Sequence, residues 1–454
     1  MKRILLAIVA IAVICGEAFA QKTTKVDAPF GVVKIKECSV PERVVRVQGV
    51  QEVQGVQGVQ EVHPSASSGT SVQAIQMAVD ECARLGGGHV VVPAGTWLSG
   101  PIHLRSNIDL HLEKGAVIEF LDDKDLYLPA VQTSWEGVEC MNFSPLIYAF
   151  GCKNISITGE GTIKSRMDFW RTWFSRPASH IEATRKLYEW CSFDTPVEER
   201  HAELDGFQFR PHLIQFNRCE NILLEGVKIR ESPFWTIHML LCKNGIARNL
   251  DVYAHGHNND GIDLEMTQNF LVENCRFDQG DDAVVIKSGR NQDAWRLNTP
   301  SKNIVVRDCD IVHGHTLLGL GSELSGGIEN VHMTRCKASG MVHRVMYLKT
   351  NHRRGGKVKN IYLDNCQVDT ARYGVMEIAT DVLYQWKDFP TYKTAITKIE
   401  NLQMSDVSCK QAGIRYRMIG DERLPAKKIR MRNVSIDTVL DPTSITRNVE
   451  LTDE

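Results

Sequence analysis

NIVVRDCDIV (Asn303–Val312), NVHMTRCKAS (Asn330–Ser339) and NIYLDNCQVD (Asn360–Asp369) are three versions of one phrase. Each opens on asparagine, alternates apolar with polar positions and carries a cysteine six residues on. Outward from these, the phrase recurs as NISITGEGTI from Asn154, NILLEGVKIR from Asn221, NGIARNLDVY from Asn244, NFLVENCRFD from Asn269 and NLQMSDVSCK from Asn401. KIRMRNVSID near the C-terminus is a weaker copy. Clear neighbours are 23 to 41 residues apart. Period-two alternation, a turn and a second short run read as strand, turn, strand, and no helix-length amphipathic pattern separates the copies after Asn221. Self-similarity at this period predicts a solenoid of parallel strands, in which equivalent residues stack about 4.8 Å apart.

Cysteine placement follows the same phase. Cys275, Cys309, Cys336 and Cys366 each lie six residues after their asparagine, and Cys152, Cys219 and Cys242 each lie two before theirs. No Cys-x-x-Cys pair occurs, so these thiols are expected as interior ladders of small apolar side chains, with neither disulfides nor a metal site. The asparagines are expected as a turn ladder, not as glycan acceptors.

The ends differ from the repeat. Residues 1–20 read as an export signal: Lys2 and Arg3, the apolar run Ile4–Cys15, and Ala18-Phe19-Ala20 as a small-x-small cleavage site. That run is shorter than the ~20 residues a membrane span requires. Residues 21–69 are expected as an N-terminal segment containing the period-three run RVQGVQEVQGVQGVQEV (residues 46–62), a low-complexity linker. The solenoid is expected over 70–454. It opens on a capping helix at Ser71–Leu85, with Val72, Ile75, Met77, Ala78, Val79 and Cys82 largely on one side. Residues 165–210, with Trp170, Trp173 and Trp190, interrupt the repeat as a partly helical excursion that would wall a groove.

The chain has 454 residues, 43% apolar and 24% charged, with a formal net charge of −2. That balance supports a folded core and argues against disorder and against a nucleic-acid partner. The expected product is a soluble, exported monomer, periplasmic or secreted, with no membrane span.

Two acidic phrases stand out: NNDGIDLE (Asn258–Glu265) and QGDDAVVIKSG (Gln279–Gly289). Asp260 and Asp281 are 21 residues apart, about one coil. Asp281 lies 12 residues after Asn269, and His315 lies 12 after Asn303. Asp260 lies 16 after Asn244, and Lys349 lies 19 after Asn330. Successive coils would therefore bring Asp260, Asp281, Asp282, His315 and Lys349 to one face. Hydrolysis of a glycosidic bond needs a protonated carboxyl for the leaving oxygen and a carboxylate to activate water or attack the sugar. Three clustered aspartates cannot all ionise freely, which supplies both forms without a metal or cofactor.

With these motifs the sequence resembles glycoside hydrolase family 28, the polygalacturonases and their pectin-cleaving relatives. The family's four motifs read here as Asn258-Asn259-Asp260, Gly280-Asp281-Asp282, Gly314-His315-Thr316 and Tyr347-Leu348-Lys349. RPHLIQF (Arg210–Phe216), SPFWTIH (Ser232–His238), GSELSGG (Gly321–Gly327) and KTN (Lys349–Asn351) match as flanks. The resemblance implies an all-β fold, a single-stranded right-handed parallel β-helix, and an inverting hydrolase of galacturonate-containing pectic polysaccharide. By position, Asp281 would be the general acid, Asp260 with Asp282 would hold and deprotonate water, and His315 would orient the acid or substrate. Lys349 would bind a galacturonate carboxylate.

Two positions depart from the family pattern. Thr316 replaces a glycine, which is expected to alter a turn. Tyr347 replaces an arginine that holds the substrate carboxylate, and it can stack on a sugar but cannot supply a bidentate fork. Arg344, three residues away, would face the other way on a continuous strand, leaving Arg353 or Arg354 to reach in from the next loop. Trp235 and Trp295 are candidate sugar contacts. Lys287–Asn303 resembles the longer form found in exo-acting members, where it would close one end of the groove. The alternatives are a rhamnogalacturonan or other decorated-pectin galacturonidase, a pectate-lyase-type β-eliminase with calcium, and a non-catalytic carbohydrate-binding β-helix.

Overall fold

A computed structural model describes residues 21–48, 72–383 and 393–454. Its repeat phrases are parallel strands stacked coil on coil. Lys153–Gly159, Glu220–Glu225, Lys243–Arg248, Gln268–Glu273, Ser301–Arg307 and Ile328–Thr334 pair in that order. Their register aligns Ile155, Ile222, Gly245, Phe270, Ile304, Val331, Ile361, Leu402 and Ile429 in one buried column. The alternation in each phrase thus has a single cause, since every second residue points into the coil. The column is not uniform. A Cβ on Gly245 would lie 2.0 Å from the Phe270 ring, so glycine leaves the space that the ring fills. The architecture is a right-handed parallel β-helix.

The repeated asparagine sets the coil phase. Each amide donates through Nδ2 to the Oδ1 of the asparagine one coil earlier, from Asn401 back through Asn360, Asn330, Asn303, Asn269, Asn244, Asn221 and Asn154 to Asn107, at 2.8–3.3 Å. All nine adopt positive φ, 56–63°, a left-handed turn that asparagine tolerates better than most residues. Among the described residues the cysteines are all free, and only Cys38 is not buried. Several thiols donate to the carbonyl two residues back, as Cys275 does to Glu273 at 3.3 Å and Cys309 does to Arg307 at 3.3 Å.

Helix α1 (Ala74–Arg84) covers the first coil with Ile75, Ala78, Val79 and Cys82. Met77, expected on that side, is 60% exposed because its position falls on the opposite arc of the helix. The segment before the cap is not separate from the solenoid. Thr23–Val26 and Val33–Lys36 form an antiparallel hairpin that packs Val26, Val33 and Ile35 onto Ile246, Leu271 and Val305. Val44–Arg46 then joins the main sheet beside Gly88–Val92. The export signal at 1–20 and the Val-Gln run from residue 49 onward lie outside the described residues, as does Ser71. No helix among the described residues is long and apolar enough to cross a membrane.

The excursion contains a 3-10 turn (Trp170–Ser175) and α2 (Ala178–Ser192). It builds a second apolar cluster in which Leu187, Tyr188 and Cys191 meet Trp135, Phe209, Phe234 and Trp235. A short helix, α3 (Asn291–Leu297), occupies the Lys287–Asn303 stretch, which alternation alone did not reveal.

Asn303 donates one ladder bond and accepts another. Asn303→Ala should destabilise the protein by about 2 kcal/mol, at roughly 1 kcal/mol per hydrogen bond lost. Asn303→Gly should lose less, because glycine keeps the left-handed turn without strain. Urea unfolding of both variants checks the order.

Candidate active site

Coil register gathers the acidic phrases. Ile262 pairs with Val284, Val285 with Gly319, and Gly319 with Tyr347. The loop ahead of each strand therefore overlies the one before it. The Asp281 loop is drawn tight against its predecessor: a Cβ on Gly280 would sit 2.6 Å from the Gly256 nitrogen. Backbone bonds tie the site together, with Gly261 donating to the Asp282 carbonyl at 2.9 Å and His315 donating to the Asp281 carbonyl at 2.8 Å.

These loops rim a pocket of about 480 Å³ lined by Asp260, Asp281, Asp282, His315, Tyr347 and Lys349. Three cations hold the three carboxylates. His315 Nδ1 donates to Asp281 Oδ1 at 2.8 Å. Lys349 Nζ donates to Asp282 Oδ2 at 2.7 Å, and Lys287 Nζ donates to Asp260 Oδ2 at 3.2 Å. The Thr316 hydroxyl completes Asp282, donating to Oδ1 at 2.8 Å. The residue expected only to alter a turn is thus a buried partner of a site carboxylate.

Burial pushes the Asp260 carboxyl up to about 7; Lys287 opposes this, and the charges of Asp281 and Asp282 add to it. Burial also acts to raise Asp281, but the His315 hydrogen bond and charge, with Lys349 and Lys287, outweigh it and hold Asp281 below the usual carboxylate range. His315 shows the converse. Burial disfavours its charge, and the bond to Asp281 overcomes this and raises its pKa. The two directions agree on an ion pair, with the proton on the His315 imidazole and Asp281 as carboxylate. Oxygens of Asp281 and Asp282 and a nitrogen of His315 lie within 4.8 Å of one another.

The structure separates the remaining candidates. Trp235 lines the pocket but is 1% exposed, because the Lys287 ammonium sits 3.7 Å from its ring centroid and covers the face a sugar would use. Trp295, Arg353 and Arg354 do not line the pocket. Arg354 is buried behind the wall, donating to the Ser322 carbonyl at 2.9 Å and Asn291 Oδ1 at 3.0 Å. Trp295 bonds the Arg354 carbonyl at 3.2 Å. The Arg353 backbone nitrogen donates to Asn351 Oδ1 at 2.9 Å.

Arg344, expected to face away, enters the pocket. The strand Lys337–Lys349 turns a corner at which Val345 and Met346 are both buried, so Arg344 and Tyr347 emerge on the same side. The guanidinium lies 4.2 Å from the Tyr347 ring centroid and pairs with Glu377 one coil on.

Spacing arguments missed Lys287, Glu323, Arg290, His343, Tyr373, Glu136 and Arg176, all of which line the pocket. Lys287 had a signal, as a charge closing the apolar run AVVI. It is the cation of a buried cluster, 3.1 Å from Asp263 and 3.6 Å from Glu323 as well as bonded to Asp260. Glu136 and Arg176 come from a hairpin and the excursion, where no repeat phase applies.

Residues 198–453 match the sequence profile of glycosyl hydrolases family 28. The chain belongs to that family. A hyperthermoactive exopolygalacturonase from Thermotoga maritima is 34% identical, with a TM-score of 0.82 over 92% of each chain. A probable polygalacturonase of Vitis vinifera is 26% identical over 81% of this chain and 71% of its own length. An endo-polygalacturonase of Pectobacterium parmentieri is 23% identical over 85% of this chain and 88% of its own. Membership of family 28 makes this protein a glycosidase. The lyase and the non-catalytic readings are set aside accordingly.

Lys287→Met should destabilise this family 28 protein by about 3–5 kcal/mol at pH 7, since it leaves buried carboxylates without their cation. Guanidinium denaturation at pH 7 measures it.

Proposed function

We propose that this glycosidase is an exported, exo-acting galacturonidase that cleaves α-linked galacturonate in pectic polysaccharide with inversion. The observation that carries this reading is the Asp281–His315 pair set beside Asp260 and Asp282 in a cation-rimmed pocket. The polygalacturonase relatives support the substrate class. Export rests on the sequence of residues 1–20, with cleavage near Ala20 and a monomeric product in the periplasm or medium.

Asp281 gives its proton to the leaving oxygen, and His315 supplies that proton through the shared bond. Asp282, fixed by Lys349 and Thr316, and Asp260, whose buried Oδ1 has no hydrogen-bond partner among the described residues, hold and deprotonate the water. Inversion calls for roughly 6.5–9.5 Å between acid and base. Asp281 and Asp282 approach more closely than this, so the water belongs on the Asp260 side. Asp281→Asn should lower kcat at least about a hundredfold without unfolding the protein. Proton NMR of the first product should show the β-anomer, and an α-anomer overturns the inverting assignment.

The pH profile follows from the same pair. Asp260 must lose its proton, which sets an acid limb near pH 7, and the pair must keep one, which sets an alkaline limb above the ordinary histidine value of about 6.5. The two limbs give a bell-shaped profile, with its acid side near pH 7. His315→Asn should lower kcat and move the alkaline limb to lower pH, because Asp281 must then hold the proton alone.

Exo action rests on the wall. Arg290, at the start of α3, pairs with Glu323 and lies 4.5 Å from the Tyr188 ring centroid on α2. Its backbone nitrogen bonds the Gly137 carbonyl at 2.9 Å, which joins the hairpin to the same wall. One end of the pocket is therefore built up, in keeping with a chain terminus as the substrate.

Arg344 takes the uronate carboxylate in the role that the family pattern gives to the residue now Tyr347. Arg344→Gln should raise KM about ten- to a hundredfold, the loss of a charge-assisted bond of about 1.5–3 kcal/mol. A second reading, a galacturonidase of decorated pectin, is favoured by Tyr347 itself. Product sizes from homogalacturonan and rhamnogalacturonan backbones distinguish the two: single galacturonate units from the former support the first reading, and cleavage of the latter alone supports the second.

A further inference from the structure

A second polar cluster lies outside the pocket, on the outer surface of three successive coils. His255 follows the strand Asp251–Ala254, Asp278 lies in Arg276–Gln279, and His313 lies in Asp310–Gly321. His255 Nε2 and His313 Nδ1 both reach the same oxygen, Asp278 Oδ1, at 2.7 and 2.9 Å. Their convergence depends on a break in the sheet. Phe277 pairs with Ile311, but Asp278 pairs with His313, so the register skips Val312 and a bulge turns His313 onto the carboxylate. The two imidazoles meet edge to face at 5.9 Å between ring centroids. Arg276 stands 3.9 Å from the other oxygen, Asp278 Oδ2, which leaves Oδ1 to the histidines.

We propose that His255, Asp278 and His313 form a site for a divalent late-transition ion of the zinc type, held through His255 Nε2, His313 Nδ1 and an Asp278 oxygen. All three donor atoms already lie within 4.8 Å of one another. Zinc–ligand bonds of about 2.0–2.2 Å would place them roughly 3.3 Å apart at a tetrahedral centre, so the carboxylate needs to withdraw by only about half an ångström. Two imidazoles and one carboxylate suit zinc, nickel or copper better than calcium or magnesium, which favour all-oxygen shells. Three protein ligands on an exposed surface leave the outward position to solvent. To bind the ion, each imidazole moves its proton to the nitrogen facing away from Asp278, so the ligating nitrogens present lone pairs. The proposal does not depend on the pectic substrate.

The test is calorimetric titration of the tag-free protein with zinc chloride at pH 7, with thermal unfolding in parallel. One equivalent should bind and raise Tm. His313→Ala and Asp278→Asn should each weaken binding at least about tenfold. Asp281→Asn, which dismantles the neighbouring Asp281, Asp282 and His315 group, should leave that equivalent in place. Absence of a saturable equivalent in the native protein overturns the proposal. So does an equivalent that survives in His313→Ala and disappears in Asp281→Asn, since the ion then belongs to the acidic pocket. Unfolding curves of the zinc-free variants show whether each is folded, and the Asp278→Asn result stands if His313→Ala is not.

Discussion

Coil-on-coil stacking in parallel register is the constraint on which the rest of this protein depends. Each coil leaves a row of backbone donors and acceptors that only the next coil can satisfy, so neighbouring coils are fixed at about 4.8 Å. The asparagine ladder adds a side-chain restraint to this spacing, one amide bond per coil from Asn107 to Asn401. Because that ladder holds the phase at one corner, insertions elsewhere in a coil are carried outward. The 34-residue step from Asn269 to Asn303 accommodates α3 without disturbing the column from Phe270 to Ile304.

The same stacking creates the site's electrostatic problem and its chemistry. Like residues in successive coils are brought close together, and here those residues are acids. Asp260, Asp263, Asp281, Asp282 and Glu323 surround a volume into which Lys287, Lys349, Arg290 and His315 also project. Lys287 is shared by Asp260, Asp263 and Glu323, whereas His315 holds Asp281 and Lys349 holds Asp282, so the protonation balance differs from one carboxyl to the next. Burial prevails at Asp260, whereas at Asp281 burial is outweighed by His315 together with Lys349 and Lys287. One geometric rule therefore yields carboxyls of unlike acidity within a single pocket, the condition that acid–base catalysis requires.

Two breaks in the regular pattern place further groups. The corner at Val345–Met346 turns Arg344 into the pocket, and the skipped Val312 turns His313 onto Asp278. In both cases strict alternation would have pointed the side chain elsewhere. Simple period-two reasoning fails at corners and bulges, and Arg344 and His313 both sit at such places. Met77 is a milder case, where an apolar residue on the arc opposite Ile75, Ala78, Val79 and Cys82 lies on the solvent side.

The sequence alone determined the solenoid, the asparagine and cysteine ladders, the capping helix and the meeting of Asp260, Asp281, Asp282, His315 and Lys349. Each of these follows from residues that repeat at a fixed interval, and a fixed interval becomes proximity once coils stack. Only the tertiary structure decided that Lys287 covers Trp235, that Thr316 serves Asp282, that Arg344 and not Arg353 or Arg354 enters the pocket, and that Glu136 and Arg176 line it. Those positions depend on corners, bulges and excursions, whose directions are set by packing against distant segments and leave no period in the chain.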